Sequence, residues 1–502
     1  MASPKAFARV LTAFARVFTA FLTSLAILYS ALVPHAAAAE QNLPVMGEPA
    51  DEVLSLREEE RIGAGYMREI EQRLPLVKDV QLNEYINNLG RRLTHASSRT
   101  EGRNFSFFLI DDGHINAFAI PGGHIGINAG LVLAMQREEQ LASVVAHEIA
   151  HVTQRHHARA YASSKNSNLG TAATVIAAIL IGQASPEAGQ AALAAGLAAS
   201  YQSSINFTRS NEIEADRIGI EILDAADYDD SAMAETFDIL RRRNSLNTTG
   251  MQIEYLRTHP LDNNRMAEAA DRARSTPPVS AANQVEFKLF KARLEVIGTS
   301  DRSQLLRTCQ SRFRRNRDIG SAYAMALIHH EAGRPKEAAK YLTILRDLVG
   351  SQTMVELLAA DIDSKTAPSR VEKRLAALSE LYPERYSIVE KQLGILDRAH
   401  RPGEALAVLN LYLRRNTDPD PSALRELAGV RMQLGDIAGG HEALANYHLA
   451  RNENAEAARQ LEFALGEVAA GSHDELRLLA RMRAARGESA GNFGTGKEDD
   501  NY

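Results

Sequence analysis

The string His147-Glu148-Ile149-Ala150-His151 limits what this chain can become more than any other stretch. Histidines four residues apart on a helix project about 40° from one another, so both rings can meet one metal ion, with Glu148 on the adjoining flank. Five letters recur by chance, but the setting adds weight. Leu141, Val144, Val145, Ile149 and Val152 lay an apolar stripe along a helix expected over 138–155. A buried helix with two imidazoles and a carboxyl on one face needs a ligand for them, and zinc suits that donor set. Cys309 is the single cysteine, so no internal disulfide or thiolate cluster can form, and a metal site must draw on His, Glu or Asp. As a small apolar side chain it reads as core rather than as a nucleophile.

The third ligand is less direct. One known pattern puts Gly three residues after the second histidine and a third His three further on. His157 stands at the last position, but Gln154 replaces the glycine. A helix that runs on carries His157 about 15 Å along the axis from His147, out of reach of the same ion. Arg155, His156, His157 and Arg159 then read as a solvated helix end that complements the helix dipole. Thr208–Arg217 offers another source. Glu212 and Asp216 share a helix face, while Glu214 points elsewhere. A glutamate on a second helix roughly 60 residues after the histidine pair is the gluzincin arrangement of two His and one Glu. Asp216 could accept the free ring N–H of a ligand histidine. The same residues also fit a charged surface of i,i+4 pairs, and spacing leaves both readings open.

Around this centre the chain divides by composition. It has 502 residues, 45% apolar and 24% charged: globular, and too long for one core. Lys5, Arg9 and Arg16, an apolar run from Val17 to Val33 and Ala36-Ala37-Ala38-Ala39 read as an export signal over 1–39, with an uncleaved membrane anchor as the alternative. Without those residues the net charge of −6 becomes about −9, which argues against nonspecific nucleic-acid binding. Helical periodicity is expected over 56–74 and 82–93, and a strand over 104–111. A hairpin through Pro121-Gly122-Gly123 follows, its second strand ending at Asn128. Gly123 and Gly126 could open that strand's backbone to an extended substrate, or merely serve the turn. The apolar segment 169–199 reads as two packed helices, with a lid or an interfacial hairpin as alternatives.

After Ser275-Thr276-Pro277-Pro278 the sequence becomes Ala/Leu/Arg-rich, with a period of about 34 residues. Ala332-Gly333-Arg334-Pro335 is echoed near Ala367-Pro368, at Ala399-His400-Arg401-Pro402 and at Leu434-Gly435-Asp436. A half-repeat at 450–458 falls half a period out of register. With Tyr323 and Ala326 before the first turn, this resembles tetratricopeptide repeats, stacks with concave surfaces for protein partners. Arg312, Arg314, Arg315 and Arg317 read as a solvated face, and 486–502 as a disordered tail.

Four stretches resemble the HtpX-like zinc metallopeptidases: Asn116-Ala117-Phe118-Ala119 with Pro121-Gly122-Gly123; Gly130-Leu131; Ala146 through His151; and Arg209 with Glu212, Ala215 and Asp216. The resemblance implies one zinc per chain on His147, His151 and Glu212, Glu148 as general base, and Asp216 holding a ligand in place. It implies that His259, in Thr258-His259-Pro260, can take the fourth coordination position and keep the enzyme latent. His259 and Arg265 are also candidates for stabilising an oxyanion. The expected fold is mainly α with an α+β N-terminal part: a zincin-like peptidase domain with a small β-sheet over 40–275, then a tetratricopeptide α-solenoid over 276–485. Exported relatives with such repeats imply a periplasmic peptidase and chaperone. Its partners would be unfolded or misassembled outer-membrane proteins and, through the repeats, the barrel-assembly machinery. A retained leader would add peripheral membrane association. The rival reading is a repeat-based scaffold whose zinc site is structural or latent.

Overall fold

The computed structural model describes residues 54–165, 201–246, 253–272, 281–451 and 453–487. The expected export signal, the apolar segment 169–199 and all but the first residues of the expected tail lie outside the described residues.

The first half begins with α1 (Leu56–Arg73), whose N-cap Ser55 accepts from the Glu58 amide, and α2 (Val80–His95), capped in the same way by Asp79. A three-stranded sheet follows: β1 (Ser106–Ile110), β2 (Ala117–Ile120) and β3 (His124–Asn128), in the order β1-β3-β2. β2 and β3 form the expected hairpin, and β3 then lies parallel to β1, with Phe107 opposite Ile125. The strand expected to receive a substrate is therefore the middle one, paired on both sides. Its glycines serve packing. Gly123 sits at φ 83°, where a Cβ would fall 1.9 Å from the Asn104 carbonyl oxygen, and a Cβ on Gly126 would strike the rings of Phe118 and Phe108. The edge beside the histidine helix is β2.

Next come α3 (Ala129–Ala134), α4 (Glu138–Thr153), α5 (His156–Lys165), α6 (Tyr201–Ala225), α7 (Ala232–Ser245), α8 (Glu254–Thr258) and α9 (Asn263–Arg272). α4 carries the H-E-x-x-H string and packs against β2, α6, α7 and α2. All sixteen of its residues are buried, so the apolar stripe read from the sequence is only part of a helix enclosed on every side.

The second half is helical among its described residues. α10 (Ala281–Gly298) and α11 (Arg302–Asn316) precede five antiparallel pairs: α12 (Ile319–Glu331) with α13 (Pro335–Val349), α14 (Thr353–Asp363) with α15 (Pro368–Leu381), α16 (Tyr386–Arg398) with α17 (Pro402–Arg415), α18 (Pro421–Gln433) with α19 (Ile437–Ala450), and α20 (Asn454–Gly466) with α21 (His473–Ala485). Proline at the first position of α13, α15 and α17 starts the second helices, where its missing N–H costs nothing. Left-handed residues at Gly333, His400 and Gly435 follow the first helices α12, α16 and α18. The stretch at 450–458 that breaks the sequence register opens α20, the first helix of its pair rather than a second. Cys309 is buried, and burial pushes its thiol up to about 11, consistent with a core residue.

One apolar core crosses the change of composition near 275. It runs from Val77 to Ile362, with Tyr85 of α2 stacked on Phe290 of α10 at 4.1 Å.

Candidate metal centre

The local folding of α4 sets the site. Gln140 reaches back to accept from the amides of Gln136 and Arg137, fixing the start. In the first turn, Glu138 accepts from the hydroxyls of Tyr85 and Tyr228 and pairs with Arg92. The helix then stops earlier than expected. Arg155 adopts φ 53°, and its buried guanidinium pairs with Glu59 of α1 and donates to the Leu54 carbonyl. Arg155 and His156 are buried rather than solvated, which corrects the expected exposed, dipole-complementing end. The left-handed residue turns the chain back, and Glu59 supplies the counterion that lets Arg155 stay inside.

Two helices and the residue that ends a third converge on one point. His147 and His151 come from α4, Glu212 from α6, and His259 from the residue that ends α8. One donor atom from each lies within 4.8 Å of the others. The Nε2 atoms of His147 and His151 are 3.0 Å apart, and His259 Nδ1 is 3.3 Å from His147 Nε2 and 3.1 Å from Glu212 Oε1. Glu212 also lies 3.4 Å from both α4 histidines. His157 is not among the four.

The groups around this point are themselves held. Asp216 Oδ1 is 2.9 Å from His147 Nδ1. Arg265 of α9 grips Asp216 with Nε and Nη2 at 2.7 Å and reaches Glu212 Oε2 at 2.9 Å and the Pro260 carbonyl at 2.7 Å. With its donors engaged there, Arg265 is a brace for two carboxylates rather than a free oxyanion donor. Tyr255 stacks its ring on His259 at 4.7 Å. Glu148 is 1% exposed, its Oε1 has no hydrogen-bond partner, and it lies 3.5 Å from His259 Nε2. Burial opposes charge on His147, yet Asp216 and Glu212 raise it to about 10. Burial also opposes charge on Glu212, but the surrounding histidines hold its carboxylate well below the ordinary range. Burial pushes His151 well below the usual imidazole value, with His147, His259 and His156 adding to the effect.

The donor set fits a divalent cation on two counts. A tetrahedral zinc site with bonds near 2.0–2.1 Å places its ligand atoms about 3.3 Å apart, close to the separations above. Glu148, Glu212 and Asp216 are buried here, and the one fixed cation among them, Arg265, pairs with the last two, so the buried carboxyls outnumber it by two, a surplus that a dication would offset.

Residues 80–273 match the model for Peptidase family M48. Over 462 residues, 91% of this chain and 93% of the relative, the sequence is 34% identical to the beta-barrel assembly-enhancing protease of Escherichia coli strain K12. The chain belongs to the beta-barrel assembly-enhancing proteases of the M48 metallopeptidase family. A putative member from Vibrio cholerae is 42% identical over 252 residues, 50% of this chain and 51% of that protein. The mitochondrial metalloendopeptidase OMA1 of Arabidopsis thaliana is 28% identical over 170 residues, 34% of this chain and 32% of its own. The chain is thus a metallopeptidase whose His147, His151, Glu212 and His259 make a group compatible with a metal site.

Sequence reasoning pointed to His147, His151, Glu212, Asp216 and His259, and the structure brings all five together. It missed His156, Tyr255 and the bracing role of Arg265. The signal for Arg265 lay in its position, one turn into a helix just after His259-Pro260.

Proposed function

We propose that this protein is a periplasmic zinc endopeptidase and chaperone for outer-membrane β-barrel proteins, held latent by His259. The convergence of three imidazole rings and the Glu212 carboxylate on one buried point carries the reading. His147, His151 and Glu212 would hold one zinc. When bound, the ion supplies the Lewis acidity that peptide hydrolysis at neutral pH requires. Glu148 accepts a proton from the attacking water at Oε1 and passes it to the leaving amine. Asp216 holds His147 by its Nδ1, and Arg265 holds Asp216 in place. His259 would be a further donor to the ion beside Glu148, so a substrate would have to displace it together with the loop that follows α8.

The exported location, the tetratricopeptide character of 276–485 and the clients rest on the N-terminal sequence, the 33- to 35-residue spacing of the helix pairs and the function named for the relatives. Among the described residues no helix is long and apolar enough to cross a membrane. The repeats would present misassembled barrel proteins, or the barrel-assembly machinery, to the peptidase half.

Glu148→Gln tests the chemistry. It should retain about one zinc per chain and lose degradation of an unfolded barrel protein by 100-fold or more, on the order expected for a missing general base; equal turnover by mutant and wild type would overturn the peptidase reading. His259→Ala should raise basal proteolysis while zinc is retained, and unchanged activity would remove the latency.

A further inference from the structure

His156 is 4% exposed and sits five residues after the second histidine of the metal group. Its Nδ1 lies 2.9 Å from His151 Nδ1, on the side of that ring away from the converging donors. Its Nε2 lies 3.2 Å from Glu214 Oε2, and Arg159 Nη1 approaches the same oxygen at 2.8 Å. These contacts form one chain, Glu214–His156–His151, ending at the metal group.

We infer that His156 is a positioning residue that fixes the tautomer and orientation of His151. The inference rests on the metal-site reading above. A carboxylate only accepts hydrogen bonds, so the His156 nitrogen facing Glu214 carries the ring proton. A neutral imidazole has one N–H, which leaves His156 Nδ1 as an acceptor. The facing nitrogen, His151 Nδ1, must then donate. With its single proton on Nδ1, His151 presents a lone pair at Nε2, the atom 3.0 Å from His147 Nε2 and 3.4 Å from Glu212. The opposite tautomer would put a hydrogen on Nε2 and remove a ligand.

α6 thereby sets both ligand histidines. Asp216 reaches His147 directly. His151 lies one turn, about 6 Å, further along α4, and the carboxyl group serving it from α6, Glu214, is joined to it through the His156 ring. That ring is in place because Arg155 is left-handed, and Arg155 is held by its pair with Glu59. On a continuing helix, His156 would sit about 140° round from His151 and could not face it.

The test uses the full chain, with zinc affinity measured by chelator competition and the d–d spectrum of the cobalt form as a second readout. His156→Leu should weaken zinc binding about 10- to 100-fold, the usual effect of losing such a partner, and alter the cobalt bands. His156→Asn, whose side-chain oxygen can accept from His151, should recover most of the affinity. Glu214→Ala, at a half-exposed side chain that does not threaten folding, should cost several-fold, and Glu214→Gln, which keeps an accepting oxygen, should stay near wild type. Wild-type affinity and spectrum in both the His156→Leu and the Glu214→Ala proteins would overturn the inference, as would a His156→Asn protein that binds zinc no better than His156→Leu. A wild type that binds no zinc would sink the metal reading instead.

Discussion

His124, at the start of β3, shows how one buried base shapes the response to pH. Ser106 Oγ is 2.6 Å from its Nδ1, while Nε2 is buried without a partner. Burial, helped by the charge of Arg451, pushes its basicity down to about 4. In the unfolded chain the ring titrates near 6.5. Between these values the unfolded state binds the extra proton and the folded state does not. Stability is therefore complete above about pH 6.5 and falls as the pH drops toward 4, at up to about 1.4 kcal/mol per pH unit for this group. Burial also pushes His156 and His157 down to about 4, so the wild type should lose stability over the same window from several sites. Urea denaturation of wild type and His124→Gln at about pH 7.5 and 5 should show a smaller loss in the variant; an equal loss would mean that His124 is protonated inside. What could be read at this scale depended on spacing within one helix. His147 and His151 follow from the four-residue interval, as does the common face of Glu212 and Asp216. His156 does not, because its place depends on the backbone of Arg155. That in turn depends on Glu59, 96 residues away.

Among elements, the sequence motif Gly130-Leu131 has a packing cause. Gly130 opens α3 just after β3, and a Cβ there would lie 2.1 Å from the Gly113 carbonyl oxygen and 2.6 Å from that of His114. Both partners are backbone, so a substitution must displace the turn between β1 and β2. Gly130→Ala should destabilise by about 1 to 3 kcal/mol, the usual cost of overpacking. Gly429, exposed within α18 with nothing near its missing Cβ, should behave oppositely, with Gly429→Ala stabilising by about 0.5 to 1 kcal/mol. Thermal unfolding of the two variants separates the cases, and a shared direction would refute the distinction. Periodicity placed α1, α2, α4 and the hairpin within a few residues, since each depends on local pattern. It could not reveal that β3 lies between β1 and β2. Strand order depends on which faces α1, α2 and α4 cover, and those contacts are long-range.

Across the whole molecule, the peptidase half and the repeat half are joined by charge as well as by the shared apolar core. Glu84 of α2 is 6% exposed, and its carboxylate accepts from the Ser387 amide at 2.7 Å, in the first turn of α16. A repeat helix is thus capped by a carboxylate from the other half, where the helix dipole favours negative charge. Arg385 lies between Glu84 at 3.4 Å and Glu286 of α10 at 2.6 Å, and Arg293 of α10 pairs with Asp79, the cap of α2. Burial raises the Glu84 carboxyl against the pull of Arg385, so the group depends on that cation to stay charged. Arg385→Leu would leave the carboxylates of Glu84 and Glu286 without their shared cation, and should cost about 3 kcal/mol in chemical denaturation. Glu84→Gln keeps an oxygen for the Ser387 amide and should cost about 1 kcal/mol. In the double variant the penalties should not add, because the glutamine removes one of the charges that Arg385 offsets. Zinc content should be unchanged in all three, since these residues do not contact the metal group. Additive losses would show that Glu84 and Arg385 act independently, and an Arg385→Leu protein as stable as wild type would show that the apolar core alone holds the two halves together.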